Sequence, residues 1–188
     1  MVRSWFFQLC QLRSVRWLLT DEVLHTFVHV FIASYIDYCN ALLHGLAYGV
    51  IRQWQSVLHA AAQLIIGIRC YEHITPTLRD TLHWLPISQH IAFKTAQMMF
   101  DRSHNQCPKY FDVYTPVHTV AARSADHGDL VVPGVWSIQF GCSSFRVRGP
   151  TIWNTLPQDL QSADTRGQFT HRLKNWLFEC AYGRRSIW

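Results

Sequence analysis

The chain has 188 residues, 49% of them hydrophobic and 14% aromatic, which is enough to fill a sizeable core and too apolar for a disordered segment. Charged residues make up only 15%, below the usual proportion of about a quarter, and seventeen Lys and Arg against twelve Asp and Glu leave a formal charge of +5. That balance excludes a strongly acidic surface, and it suits either a polyanionic partner or an ordinary solvated one.

The opening run Met1-Val2-Arg3-Ser4-Trp5-Phe6-Phe7 is apolar, but Gln8, Gln11, Arg13 and Arg16 interrupt it before a secretory core can form. Thr20 reads as an N-cap, with Asp21 and Glu22 in the first turn of a helix that is apolar almost all round and therefore expected at the centre. Its run from Val23 to Ile36 contains His25, His29 and Ser34 and is too short to span a bilayer. No membrane partner and an intracellular location, nuclear or cytoplasmic, are therefore expected. Six cysteines, Cys10, Cys39, Cys70, Cys107, Cys142 and Cys180, hold no Cys-x-x-Cys and read as buried thiols in a reducing compartment.

Periodicity predicts a second helix from Tyr48 to Ile66, with Val50, Trp54, Val57, Leu58, Ala61 and Ile65 on one side. Arg52, Ser56, His59 and Gln63 lie opposite, and Gly67 is a natural stop. Thr75-Pro76 starts a short helix, and Pro86 starts another whose exposed stripe is His90, Lys94, Gln97 and Asp101. Near residue 113 the period changes. Asp129-Leu130-Val131-Val132-Pro133 looks like a short strand, with Ser137-Ile138-Gln139-Phe140, or its continuation to Val147, as hairpin partner. A last helix places Phe169, Leu173, Trp176, Leu177 and Cys180 on one face and Gln168, Arg172, Asn175 and Glu179 on the other, before a frayed tail holding Arg184 and Arg185. The expected fold is mainly α: a helical bundle with a small β-hairpin insertion before the C-terminal helix. Residues 1–112 form its helical part and 113–188 the hairpin, corner and last helix, together one compact domain.

Polymerase chemistry needs paired carboxylates that hold two metal ions a few ångströms apart, and no such pair stands at a hairpin tip here. Asp21-Glu22 is better explained by the helix dipole, so no catalytic residue is assigned. His25 and His29 have the spacing of two zinc ligands on one helix face, with Cys39 and His44 downstream, but no compact Cys or His pair completes a site. No metal or cofactor is expected. Cys107 with His104, and Cys142 with His127, rest on co-occurrence alone. The nucleic-acid reading gathers more residues: Arg13 and Arg16 near Trp17, Arg146 and Arg148 beside Phe145, and Arg172 and Lys174 on the last helix. Guanidinium groups bind phosphate and aromatic faces stack on bases, which suits single-stranded RNA or an RNA–DNA hybrid; the competing reading of each cluster is a solvated helix face.

Two segments share a pattern, His83-Trp84-Leu85-Pro86 and Gly149-Pro150-Thr151-Ile152-Trp153-Asn154-Thr155-Leu156-Pro157. Each sets an aromatic and a leucine before a proline and reads as a fixed hydrophobic corner, with Trp84, Pro86, Trp153 and Pro157 as structural anchors. The second corner, followed by Gln158-Asp159-Leu160, Ser162-Ala163-Asp164 and Trp176-Leu177-Phe178, resembles the C-terminal region of the reverse-transcriptase polyprotein of LINE-type non-LTR retrotransposons. The resemblance runs from about Gln11 to about Tyr182. Its other markers are Tyr35-Ile36-Asp37-Tyr38-Cys39-Asn40-Ala41-Leu42-Leu43, Ala60-Ala61-Ala62, Tyr71-Glu72-His73-Ile74-Thr75-Pro76 and Leu130-Val131-Val132-Pro133.

The resemblance implies the thumb and the segment behind it, which would grip template and primer during target-primed reverse transcription. In that family the catalytic palm lies upstream, so the chain is expected to have no polymerase activity of its own, and Mg2+ is expected only with that palm. RNA or an RNA–DNA hybrid is the implied partner. The alternative is an inert or protein-interacting remnant, self-associating through surface left by the palm. Trp17, Gln63, Cys70 and Trp136 stand where the family tends to carry Arg. Single transitions in CG-containing arginine codons yield Trp, Gln, Cys or His, so we hypothesise a decayed copy with a thinned cationic surface; codons at those positions further than one transition from arginine would sink it.

Overall fold

The computed structural model describes residues 2–30, 48–67, 73–107, 130–134 and 144–183. It is mainly α, and no strand occurs among the described residues. They fall into two compact units, residues 2–30, 48–67 and 73–88 in one and 89–107, 130–134 and 144–183 in the other. This division lies just inside a helix, whereas the change of sequence pattern lies near residue 113.

The first unit opens with a helix that the sequence pattern hid, α1 at Val2–Val15, continued by a single 3-10 turn at Arg16–Leu18. Trp5, Leu9, Leu12 and Arg16 recur at i, i+4, i+7 and i+11, the spacing of one helix face. That face meets α3, which spans Tyr48–Ile66. The Trp5 and Trp54 rings lie 6.3 Å apart, and the Arg16 guanidinium donates to the Ile65 carbonyl at 3.0 Å. Both contacts join residues 49 positions apart, so α1 and α3 run parallel.

The α3 stripe is wider than its periodicity suggested, since Ala62 and Leu64 are buried along with Trp54, Val57, Leu58, Ala61 and Ile65. Arg52 and Ser56 are exposed as expected, but His59 and Gln63 are half-buried. Gly67 ends the helix with φ +76, a left-handed conformation that a side chain disfavours, and its N–H donates to Gln63 O at 2.9 Å. Between α1 and α3, α2 is helical over residues 21–30. Only its Leu24 and Val28 are buried there, while Val23, Phe27 and Val30 are exposed, so the expectation of all-round burial fails over these residues. A helix hides only the stripe that its neighbours cover, whatever the rest of its surface is made of.

The first corner follows a π-turn at Thr77–Thr81. His83 takes φ 51, its Nδ1 lies 2.7 Å from Arg79 O, and Trp84 N–H donates to Leu78 O at 2.9 Å. Leu85 and Ile87 are buried, whereas Trp84 and Pro86 are half-buried. The Ile87 N–H, at the start of α4, donates to Gln55 Oε1 of α3 at 2.9 Å. A free helix-terminal donor is thereby satisfied from another element.

The second unit is built on α4 (Ile87–Ser103, within it from Gln89), α5 (Phe145–Asn154), α6 (Gln158–Gln161) and α7 (Arg166–Tyr182). Phe100 and Phe169 stack at 4.4 Å between ring centres, and Trp153 tilts against Phe169 at 6.0 Å. The stripe His90, Lys94, Gln97 and Asp101 is half-buried and not exposed as predicted. Its polar ends are used in packing: Gln97 donates to Thr170 Oγ1 at 3.1 Å, and Asp101 pairs with Arg166 of α7 at 2.8 Å.

Two further expectations are corrected here. Phe145 to Val147 form the first turn of α5 and do not continue a strand. Leu130 exchanges both backbone hydrogen bonds with the Asn154 side chain, at 2.9 Å and 2.8 Å. A side-chain amide presents the same donor and acceptor as a peptide, so this extended segment needs no strand partner at that residue. The hairpin partner proposed at Ser137 to Phe140 lies outside the described residues, as do Asp129, Arg184 and Arg185.

In the second corner Ile152, Trp153 and Leu156 are all buried, and Pro157 is exposed. Gln161 of α6 donates to the carbonyls of Trp153 and Leu156 at 2.8 and 3.2 Å, closing the end of α5. Gly149 lets Met99 approach closely: a Cβ there would stand 2.6 Å from Met99 Sδ, and the methionine would have to shift. In the last helix Phe169, Leu173 and Leu177 of the predicted apolar face are buried while its Trp176 and Cys180 are half-buried, and Gln168, Arg172, Asn175 and Glu179 opposite are exposed.

Candidate nucleic-acid interface

The six cations singled out by sequence are distributed over three helices in two units. In the first unit the Arg13 and Arg16 pair is split. Arg16 lies on the packed stripe of α1, half-buried, bound to Ile65 O, set against Gly67 and 3.8 Å from Asp21 Oδ1. Its guanidinium therefore closes the C-terminal end of α3, where a cation also complements the helix dipole. Arg13 lies one stripe away, exposed.

In the second unit Arg146 is exposed and Arg148 half-buried on α5. Arg172 and Lys174 are both exposed on α7, and Arg172 also approaches the Asp159 carbonyl at 3.4 Å. Residues two apart on a helix point about 200° from one another, so neither pair forms a single double-charged patch. Arg172 instead shares its face with Gln168 and Trp176, and Lys174 shares one with Thr170 and Phe178. No carboxylate pairs with Arg13, Arg146, Arg172 or Lys174 among the described residues, whereas Arg79 is held by the adjacent Asp80 at 2.7 Å. The hydrogen bond from Arg79 holds the Asp80 carboxyl below its ordinary range, with the charges of Arg79 and His83 acting in the same direction.

The histidines do not assemble a metal centre among the described residues, where no group of three or more His, Cys, Asp or Glu is placed to hold an ion. The His25 and His29 rings stack 6.3 Å apart, and His29 tilts against Trp84 at 6.4 Å. Cys39 and His44 lie outside the described residues. Burial lowers the affinity of His59 for its proton, and its Nε2 lies 2.8 Å from Gln55 Nε2. Since the Gln55 amide oxygen already accepts from Ile87, its NH2 group donates to a neutral His59. Cys107 Sγ faces Met98 O at 3.6 Å, and His104 Nδ1 lies 3.0 Å from Phe100 O; Cys142 and His127 are outside the described residues.

Trp17 is the aromatic that the sequence sets beside Arg13 and Arg16, and its degree of exposure is what the pattern did not give. It is 81% exposed, on the 3-10 turn that follows α1, four residues after Arg13. Its identity gives no hint of this, since tryptophan at a helix end usually signals core. No helix among the described residues is long and apolar enough to cross a membrane. Comparison with protein-family models, with curated proteins and with solved structures finds no significant match to this chain.

Proposed function

We propose that these residues derive from the thumb and post-thumb region of a LINE-type reverse transcriptase and that their function is to bind RNA or an RNA–DNA hybrid, without polymerase chemistry of their own. The supporting observation is the placement of Arg13, Arg146, Arg172 and Lys174, exposed on helices and without a carboxylate partner among the described residues, on a chain of formal charge +5. Such cations release counterions from a nucleic-acid backbone, and binding then weakens as salt rises. Arg16 is left out of the contact set because its guanidinium is committed to Ile65. Titrating a labelled RNA at several salt concentrations tests the reading. Reversing Arg13, Arg146, Arg172 and Lys174 together is expected to abolish binding, and unchanged affinity in that variant would eliminate the proposal.

A second reading is favoured by one observation. Phe7, Trp17, Leu18, Val23, Phe27 and Val30 are each exposed in the first unit, large apolar side chains of the kind that dock another protein or a second copy where they adjoin. Concentration-dependent association in the absence of any affinity for nucleic acid would support that reading over the first.

A further inference from the structure

We infer that Trp17 is a base-stacking platform for single-stranded RNA, with Arg13 as its phosphate contact; the inference rests on the nucleic-acid reading and specifies where a strand is held. Two stripes run along α1. The first, Trp5, Leu9, Leu12 and Arg16, is packed against α3. The second, one residue later and about 100° round the helix, is Phe6, Cys10 and Arg13, with Trp17 after it on the 3-10 turn. Each of these residues is exposed, Phe6 at 38% and Trp17 at 81%.

The turn that carries the indole is held from behind. Arg16 anchors it to the end of α3, and Leu19 N–H donates to Arg16 O at 3.1 Å. A ring displayed on an anchored turn loses little freedom on stacking, so the contact costs less than one on a loose tail.

The charge around the ring selects the partner. Residues 1–19 contain Arg3, Arg13 and Arg16 and no Asp or Glu, and of the acids that follow, Asp21 lies 3.8 Å from Arg16, which leaves Arg13 as the cation without a carboxylate partner among the described residues. Arg13 stands four residues before Trp17, in the last turn of α1, and both side chains are exposed, so a guanidinium and an indole are offered close together in the chain at one end of the helix. That pairing matches a nucleotide, whose base offers a flat face and whose phosphate offers an anion, and it matches a purely apolar protein surface poorly. Bases inside a duplex are already stacked, so the occupant is single-stranded.

Fluorescence anisotropy with a short, mixed-sequence single-stranded RNA tests this on the full chain. Trp17→Ala is expected to weaken binding about tenfold, with Trp17→Phe retaining most of the affinity. The loss from Arg13→Ala is expected to fade as salt rises, while the loss from Trp17→Ala persists. Trp17 is exposed, so the thermal unfolding of W17A is expected to match the unmodified chain, which separates lost contact from lost fold. If W17A binds RNA as tightly as the unmodified chain, the platform is overturned and the broader nucleic-acid reading stands. If the unmodified chain binds no RNA, that broader reading falls and takes the platform with it. If W17A loses self-association while keeping its RNA affinity, the surface belongs to a protein partner and the inference is wrong.

Discussion

The corners at Trp84-Leu85-Pro86 and Trp153-Asn154-Thr155-Leu156-Pro157 look alike in sequence and are built differently. In the first, Trp84 is only half-buried and tilts against His29, the left-handed His83 makes the turn, and burial falls on Leu85 and Ile87. In the second, Trp153 is 5% exposed and leans on Phe169, which stacks in turn on Phe100, while Gln161 closes the carbonyls behind it. An aromatic before Leu-Pro thus specifies a bend, and the surrounding elements decide whether the ring or its neighbours carry the burial.

The largest expected effect separates these corners directly. Trp153→Ala should destabilise the second unit by about 3–5 kcal/mol, as for other large aromatic truncations in a core, and Trp84→Ala should cost about 1–2 kcal/mol in the first. Denaturant unfolding of both variants measures the difference, and equal losses would mean that the rings play the same part. Gly149→Ala comes next, at about 1–3 kcal/mol, because the added methyl must displace Met99. Pairing it with Met99→Ala should recover part of that loss, since the methyl then has room, and strict additivity in the double variant would refute the contact.

A smaller effect divides the two arginines of the first unit. Removing the Arg16 guanidinium leaves the end of α3 without its hydrogen bond, which should cost about 1–2 kcal/mol, whereas Arg13→Ala should stay within about 0.5 kcal/mol. A melt in which Arg13 matters more than Arg16 would reverse their assignments. The smallest effect belongs to His59. Burial lowers its folded-state pKa below that of a free imidazole, so the folded chain binds fewer protons than the unfolded one. Its contribution is therefore complete above the unfolded pKa and is lost as pH falls through the lower, folded value. Protonation would also set two donors against each other at the contact with Gln55. Stability followed from neutral into mildly acidic pH should decline less in His59→Leu than in the unmodified chain, and parallel curves would remove His59 from the account.

Parts of this architecture were legible because one period governed them. The centres of the predicted apolar faces of α3 and α7 are buried, since Trp54, Val57, Leu58 and Ala61, and again Phe169, Leu173 and Leu177, follow the helical repeat without interruption. The helix α1 was not legible because its packed stripe includes Arg16, a residue that counts as surface in any hydrophobic pattern. The α4 stripe was misread for the same reason: Gln97 and Asp101 are polar, yet their partners Thr170 and Arg166 lie more than sixty positions away in the chain. No strand forms over residues 130–134, and at Leu130 a single side chain, Asn154, takes both backbone hydrogen bonds, a pairing that local alternation does not signal.

The candidate interface divides along the same line. Residue type alone marked the arginines, since only a guanidinium or an ammonium can neutralise a phosphate. Which of them remain available is a property of helix rotation: Arg13 and Arg16 are three residues apart, and one faces water while the other faces α3. By itself the sequence determined a mainly helical chain of modest positive charge, with two proline corners and its one adjacent carboxylate pair, Asp21-Glu22, at a helix start, because composition and short-range spacing act within a few residues. Tertiary structure decided which polar side chains became internal fasteners and left Trp17 outside, because burial depends on partners that are distant in the chain and near only after folding.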